Sequence, residues 1–229
     1  MENGIILSYL QLNMLAGAQG FGGLAGLPEW EADESPDSLL AAVNLLSEHG
    51  LVRVENGAFQ LTPDGEKIGK RLGGTKRYLA VHTVKKQLPD FSCYPGTDIM
   101  VCTPLTTGKS TVSLRFMSAD ELLVLLREEG YLPNSEESME PEDAALLLFE
   151  QKRLSGVDSN APLSEDGDIV FSAELLHADG TVSGFVRVVS YYFYRYVFTM
   201  QNGSIERRRL TADAVAAALK GLMSQHDFG

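Results

Sequence analysis

The sequence has very little cysteine: Cys93 and Cys102 are the only two among 229 residues, too few for a disulfide-stapled scaffold. No apolar run reaches the roughly 18 residues that a membrane-spanning helix needs. The first residues include an acid, Glu2, and lack the basic residues that open a secretory signal. These absences predict a protein of the cytoplasm with no membrane insertion.

Motifs that specify a reaction are also missing. Residues 103–110 fall short of a phosphate-binding loop because Thr103 stands where its first glycine should be, and Ser110 precedes a strand pattern rather than a helix. The sequence has no catalytic triad and no nucleophile elbow. The histidines have no spacing typical of metal ligands; they are His49, His82, His177 and His226. We therefore predict no catalytic residue, no metal and no cofactor, and a protein that is not an enzyme.

The formal net charge of −12 is concentrated in one segment. Residues 1–118 carry 12 acids and 10 bases, residues 119–168 carry 14 acids and 3 bases, and residues 169–229 carry 5 acids and 6 bases. The acidic segment is interpreted either as a solvated connector that keeps the protein soluble or as a dock for a basic partner. This charge balance disfavours binding to a phosphate backbone, so we expect no nucleic-acid partner.

Residues 1–77 have the pattern of a helical module with a hairpin. We predict helices over residues 5–16 and 37–49, a hairpin turning at Asn56-Gly57, and a helix capped by Thr62 with Pro63 in its first turn. Helix, hairpin and helix resemble part of a winged-helix fold. The helix over 37–49 contains no Lys or Arg, which favours a packing module over a DNA reader, and a winged-helix DNA-binding regulator remains the alternative.

Two segments 93 residues apart repeat one pattern. Ser118 and Thr211 each cap an apolar helix, and each cap follows a strand-rich stretch. We predict an α+β fold with two quasi-repeated β-β-β-α units around one antiparallel sheet in a pseudo-twofold arrangement. The predicted divisions are 1–77 for the helical and winged-helix-like module, 78–129 for the first unit, 130–168 for an acidic connector with a helix over 141–154, and 169–229 for the second unit.

One strand is unusually aromatic: residues 191–198 read Tyr-Tyr-Phe-Tyr-Arg-Tyr-Val-Phe. An Asn202-Gly203 turn places Phe198 opposite Arg207 and Tyr196 opposite Arg209. Aromatic residues and arginine are enriched at protein interfaces, so this face is the candidate partner-binding surface. Its residues are Tyr194, Tyr196, Phe198, Arg207 and Arg209. The alternative is a half-buried sheet in which arginines stack on tyrosines for stability.

The order of these features resembles the EspG family. The resemblance consists of a helix that ends in a Gly-rich loop with Leu27-Pro28, the stretch Leu-Leu-Ser-Glu-His-Gly-Leu-Val at residues 45–52, and two strand-rich halves that each end in a helix. EspG proteins are cytosolic, non-catalytic chaperones of type VII secretion with a pseudo-twofold fold. The resemblance implies a chaperone or adaptor whose partner is a helical secreted protein or a pair of them. The alternatives are the DNA-binding regulator and a small-molecule binder with a pocket between the two halves.

Overall fold

The computed structural model describes residues 4–27, 33–105, 110–132, 168–191, 194–201 and 203–224. The helix predicted over residues 141–154, and most of the acidic connector, lie outside these described residues. The helices are α1 (Tyr9–Gly17), α2 (Pro36–Glu48), α3 (Pro63–Gly73), α4 (Ala119–Glu128) and α5 (Ala212–Ser224). The strands are β1 (Ile5–Ser8), β2 (Val52–Glu55), β3 (Ala58–Leu61), β4 (Arg77–Thr83), β5 (Phe91–Tyr94), β6 (Ile99–Pro104), β7 (Thr111–Met117), β8 (Asp168–His177), β9 (Val182–Tyr191), β10 (Tyr194–Gln201) and β11 (Ser204–Arg209).

The described strands form one large antiparallel sheet and a separate two-stranded hairpin of β2 and β3. The order in the large sheet is β1-β7-β6-β5-β4-β8-β9-β10-β11. Two four-stranded meanders therefore run outward from the pairing of β4 with β8, where Ala80 lies opposite Glu174. Each meander leads into a capped helix, α4 or α5. The predicted α+β class and antiparallel sheet are confirmed, and each repeated unit has four strands where the sequence pattern predicts three.

The strand missing from the predicted first unit is β5. Its four residues are all buried, so it lacks the alternation of apolar and polar residues that marks a half-exposed strand. Leu79 on β4 lies opposite Cys93 on β5, and Cys93 in turn lies opposite Val101 on β6. A short strand in the middle of a sheet covered on both faces gives little periodic signal.

The prediction of one helix over residues 5–16 is wrong in its first turn. Residues Ile5–Ser8 form β1, which pairs with β7, and the helix begins only at Tyr9. The Ser8 hydroxyl accepts a hydrogen bond from the Gln11 N–H at 3.2 Å, and the Gln11 side chain accepts one from the Ser8 N–H at 2.7 Å. This capping box sets the boundary between strand and helix, and the Ser-x-x-Gln spacing is its signature in the sequence.

The rest of the N-terminal module agrees with the predicted local structure. Ser35 caps α2 with Pro36 in the first turn, and Thr62 caps α3 in the same way with Pro63. The hairpin has Val52 opposite Leu61 and Val54 opposite Phe59, as its turn requires. Asn56 and Gly57 have φ angles of 52° and 76°, the left-handed pair of a type I′ turn.

Helices cover the two faces of the large sheet differently. On the first face, α4 and α5 pack across both halves and share one core with residues such as Val81, Val101, Phe171 and Val186. On the opposite face, α1, α3 and neighbouring segments pack against the first half alone, where the buried residues include Met100 and Val112. Among the described residues, the part of this opposite face that belongs to β8–β11 carries a small apolar cluster. We call it the C-terminal back face.

The division of the chain into four segments, at 1–77, 78–129, 130–168 and 169–229, stays a prediction. Within the described ranges, every helix is too short or too polar to span a bilayer.

Candidate protein-binding site

The C-terminal back face brings together aromatic side chains from two neighbouring strands. Its buried centre consists of Phe185 and Val189 on β9 and Phe198 on β10. The half-buried residues around this centre include Tyr196 and Met200. Period-two alternation places these side chains together, because every second residue of each strand points to the same face. The result is a compact apolar patch on the half of the sheet that the N-terminal module does not cover.

The pairing of β10 with β11 follows the predicted register. Tyr196 lies opposite Arg209 and Phe198 lies opposite Arg207. The Arg207 guanidinium lies 5.0 Å from the centre of the Tyr196 ring, within the range of a cation–π contact. Arg207 is exposed and Tyr196 is half-buried, so an arginine stacked on a tyrosine forms the accessible rim of the patch.

Phe198 is buried, whereas a residue that contacts a partner must reach the surface. Only 3% of its surface is exposed, because it packs with Phe185 and Val189 in the centre of the patch. Phe198 is therefore part of the protein's own core. Tyr194 and Arg209 belong to β10 and β11, but their side chains lie outside the described part of the structure. Of the five candidate residues, Tyr196 and Arg207 are those whose described side chains reach the surface.

The sequence patterns missed an ion pair beside this patch. Arg187 on β9 donates hydrogen bonds to the Glu174 carboxylate of β8 at 2.7 and 3.0 Å, and its guanidinium lies 4.2 Å from the Phe185 ring centre. Burial raises the pKa of Glu174, but hydrogen bonds from Arg187 and Ser172 outweigh burial and hold that pKa below its ordinary value. The alternation Phe-x-Arg-x-Val from residue 185 was the available signal. Because Arg187 and Glu174 neutralise each other, we interpret them as a structural pair that supports the Phe185 ring and not as a reactive site.

A cavity of about 700 Å³ lies where the two units meet under the end of α5. Its walls are mainly apolar and include Leu175 and Cys93. The charged groups at its mouth already have partners: Asp98 accepts from Arg71 and Lys67, and Lys220 forms an ion pair with Asp120 at 2.7 Å. A pocket between the halves therefore exists, but its charged groups are committed to contacts within the protein.

Both cysteine thiols are buried in the sheet. Burial raises the pKa of the Cys102 thiol to about 12 and raises that of Cys93 further, so both thiols stay protonated at neutral pH. No group of three or more possible metal ligands occurs among the residues that the structure describes. His82 Nδ1 lies 3.0 Å from a carboxylate oxygen of Asp90, and this pair is half-exposed.

The exposed surface of α2 carries apolar, polar and acidic residues but no basic one. Leu40 and Leu45 are 61% and 46% exposed, and Ile6 on the neighbouring strand is 55% exposed. Ile6 and Leu45 line a groove of about 540 Å³ between β1 and α2. Because α2 has no lysine or arginine, it offers no cationic side chain to the phosphates along a DNA major groove.

Comparison with known proteins gives a likeness of fold. No protein-family model matches the chain, and no curated protein matches its sequence. Among solved structures, the chain is similar to the Mycobacterium tuberculosis type VII secretion system chaperone EspG5, determined in complex with a PE25-PPE41 dimer. The TM-score is 0.53 at 11% sequence identity, and the alignment covers 99% of this chain and 98% of EspG5. The two proteins therefore share a fold over nearly their whole lengths.

Proposed function

We propose that this protein is a cytosolic, non-catalytic chaperone or adaptor that binds a helical secreted protein or a pair of such proteins. The observation that carries the proposal is the likeness of fold to EspG5 across almost the whole of both chains, because EspG5 is a secretion chaperone determined with a protein pair bound. The absence of reaction motifs from the sequence agrees with a role in binding.

The C-terminal back face is the surface that we propose for this partner. On this side of the sheet, the N-terminal module covers the first half, whereas the strands of the second half, β8–β11, carry a small aromatic patch. Tyr196 and Arg207 form its accessible rim. An aromatic ring and an arginine that become fully desolvated in an interface each contribute on the order of 2 kcal/mol to binding. Phe198 supports the patch from below, and Tyr194 on β10 and Arg209 on β11 stay part of the prediction.

Partner capture with matched variants tests this function. The full chain is used as bait in cells of its origin, and captured proteins are identified by mass and examined for helical content by circular dichroism. Tyr196→Ala combined with Arg207→Ala should weaken capture at least tenfold, and because the Tyr196 ring is half-buried it should also lower stability by about 1–3 kcal/mol, so capture is compared at a temperature where both proteins are folded. The control is Arg53→Ala with Val54→Ala, which removes an exposed arginine and an exposed apolar side chain from the β2–β3 hairpin.

Each result has a defined meaning. A helical secreted partner that is lost with the first pair and kept with the control pair supports both the function and the surface. Equal loss with both pairs contradicts the surface. Capture of no helical partner, together with salt-sensitive retention of duplex DNA or a co-purified small molecule, contradicts the chaperone function and favours one of the alternatives.

A further inference from the structure

The large sheet ends in two edges that differ in their open backbone groups. β1 is the edge of the first half and is only four residues long. The Ser8 N–H is bonded to the Gln11 side chain, and the next residue, Tyr9, donates its N–H to the Ser110 carbonyl at 2.7 Å. β11 is the edge of the second half, has six residues, and pairs only with β10 among the strands that the structure describes.

The hairpin geometry shows which backbone groups of β11 point away from the sheet. Gln201 lies opposite Ser204 across a two-residue connection, and this closing pair exchanges both of its backbone hydrogen bonds. Bonded and non-bonded pairs then alternate along the ladder. The residues whose groups point toward β10 are Ser204, Glu206 and Arg208. The residues whose N–H and C=O groups point outward are Ile205, Arg207 and Arg209.

The open edge is also basic in an otherwise acidic protein. Three consecutive arginines occupy residues 207–209 of β11, whereas the chain has a net charge of −12. Residues 204–208 are all exposed, and Ile205 is 40% exposed. Glu206 offsets part of this charge through its ion pair with Arg208 at 2.9 Å, which leaves a net positive edge. An exposed edge with unpaired backbone groups is a template for another strand.

The charge of this edge selects among possible occupants. A second copy of the chain, paired antiparallel about Arg207, would place the two copies of Arg207 opposite one another at the centre and each Arg208 opposite a Glu206, so the attraction of these pairs is partly offset by the like charges at the centre. An extended segment that carries carboxylates is attracted to this edge, because it can form ion pairs with the arginines in addition to main-chain hydrogen bonds with the outward groups. An edge of six residues is about 20 Å long, enough for about five or six residues of such a segment.

We infer that β11 is a docking edge for an acidic, extended segment of a partner protein, which adds to the sheet as a further strand. This site shares Arg207 with the proposed surface for a helical partner, but it depends on backbone groups of the sheet edge rather than on the Tyr196 ring. A partner with both a helical part and an acidic strand could contact both surfaces, but neither surface requires the other.

Direct peptide binding to the full chain tests this inference. The probe is a fluorescent peptide of about ten residues with alternating Glu and Val, measured by anisotropy at physiological salt. A peptide of alternating Glu and Pro has the same charge, but proline removes every second N–H donor and holds φ near −65°, away from the values of a β-strand, so it should bind at least tenfold more weakly. Equal binding of the two peptides would overturn strand addition and leave only non-specific attraction, and no binding of the Glu-Val peptide would overturn the inference as a whole.

Matched variants at Ile205 separate backbone from side-chain effects. Ile205→Pro removes an outward N–H and leaves all three arginines, whereas Ile205→Ala removes the side chain and keeps the N–H. We expect Ile205→Pro to weaken binding of the Glu-Val peptide at least tenfold relative to Ile205→Ala, with circular dichroism confirming that both are folded. Equal affinity contradicts the inference, as does a wild-type dimer that Ile205→Pro dissociates. If Ile205→Pro does not fold, the comparison of the two peptides on the wild-type chain decides the question.

Discussion

Arg71 Nη2 lies 2.5 Å from a carboxylate oxygen of Asp98, and this contact joins α3 to the turn before β6. The same guanidinium donates to the Asp98 carbonyl at 2.8 Å, and Lys67 reaches the other carboxylate oxygen at 2.8 Å. Only 11% of the Arg71 side chain is exposed. Asp98 therefore ties the N-terminal module to the first strand unit through two cations, Lys67 and Arg71, that lie four positions apart on one face of α3.

Replacement of Asp98 should make stability depend less on pH. Burial raises the pKa of Asp98, but the bonds from Lys67 and Arg71 outweigh burial and lower that pKa below its ordinary value. A lowered folded-state pKa stabilises the protein above the unfolded pKa of about 4, and this contribution is lost as pH falls through the folded pKa. Asp98→Asn should cost about 1–3 kcal/mol at pH 7, and the difference from wild type should shrink below about pH 4.

Urea unfolding across this pH range measures the effect. The control is Asp120→Asn, which breaks an ion pair with Lys220 of similar length, 2.7 Å, but with both side chains more than half exposed. An exposed pair contributes little, so the control should change stability by less than about 0.5 kcal/mol. Equal losses for the two variants would contradict the proposed importance of Asp98.

Two glycines of the N-terminal helices should respond oppositely to alanine. A Cβ on Gly69 of α3 would lie 2.3 Å from the Leu15 carbonyl oxygen, so Gly69 permits the close approach of α1 and α3. A Cβ on Gly17 would have no heavy atom within 4 Å. Alanine favours a helix over glycine by about 1 kcal/mol. We expect Gly69→Ala to lower the free energy of unfolding by about 2 kcal/mol or more, because the added methyl group overpacks the contact with α1. Gly17→Ala should leave the free energy of unfolding unchanged or raise it slightly. Thermal and urea unfolding measure both effects.

Local chemistry explains how far the sequence predicted this fold. The turn at Asn56-Gly57 and the caps at Ser118 and Thr211 were predictable because each depends on a few adjacent residues. The Ser118 cap has its full capping box, with the Glu121 side chain accepting from the Ser118 N–H at 2.6 Å. The register of β10 and β11 followed from turn chemistry in the same way.

Burial and strand pairing depend on residues that are distant in the sequence, so these properties are harder to predict from it. Phe198 and Tyr196 are both aromatic residues on one face of β10, yet one is buried and the other half-buried, because burial depends on all the side chains that surround each ring in the folded sheet. The strand at Ile5–Ser8 was predicted as helix because its pairing partner, β7, is about a hundred residues away in the sequence. Short apolar segments carry no periodic signal that distinguishes strand from helix.

The two cysteines should be unreactive in the folded protein. Cys93 is 2% exposed and Cys102 is fully buried, and burial raises the pKa of Cys102 to about 12. Since the thiolate is the reactive form, an aromatic disulfide reagent at pH 8 should modify neither thiol in the native state and both after unfolding. Rapid modification of Cys93 in the native protein, located by mass after digestion, would contradict this prediction and show that the reagent reaches Cys93 through the cavity between the two units.

Truncation of the aromatic strand should separate its core residue from its surface residue. Phe198→Ala removes a ring that is 3% exposed, so it should leave a cavity beside Phe185 and Val189 and cost about 3 kcal/mol or more. Ile205→Ala, on the opposite strand, removes a side chain that is 40% exposed and should cost less than about 1 kcal/mol. Tyr196→Ala should fall between them, because its ring is half-buried under Arg207. Urea unfolding of the three variants measures this order. If Phe198→Ala is as stable as Ile205→Ala, Phe198 is accessible in solution, and it returns to the partner-binding surface beside Tyr196.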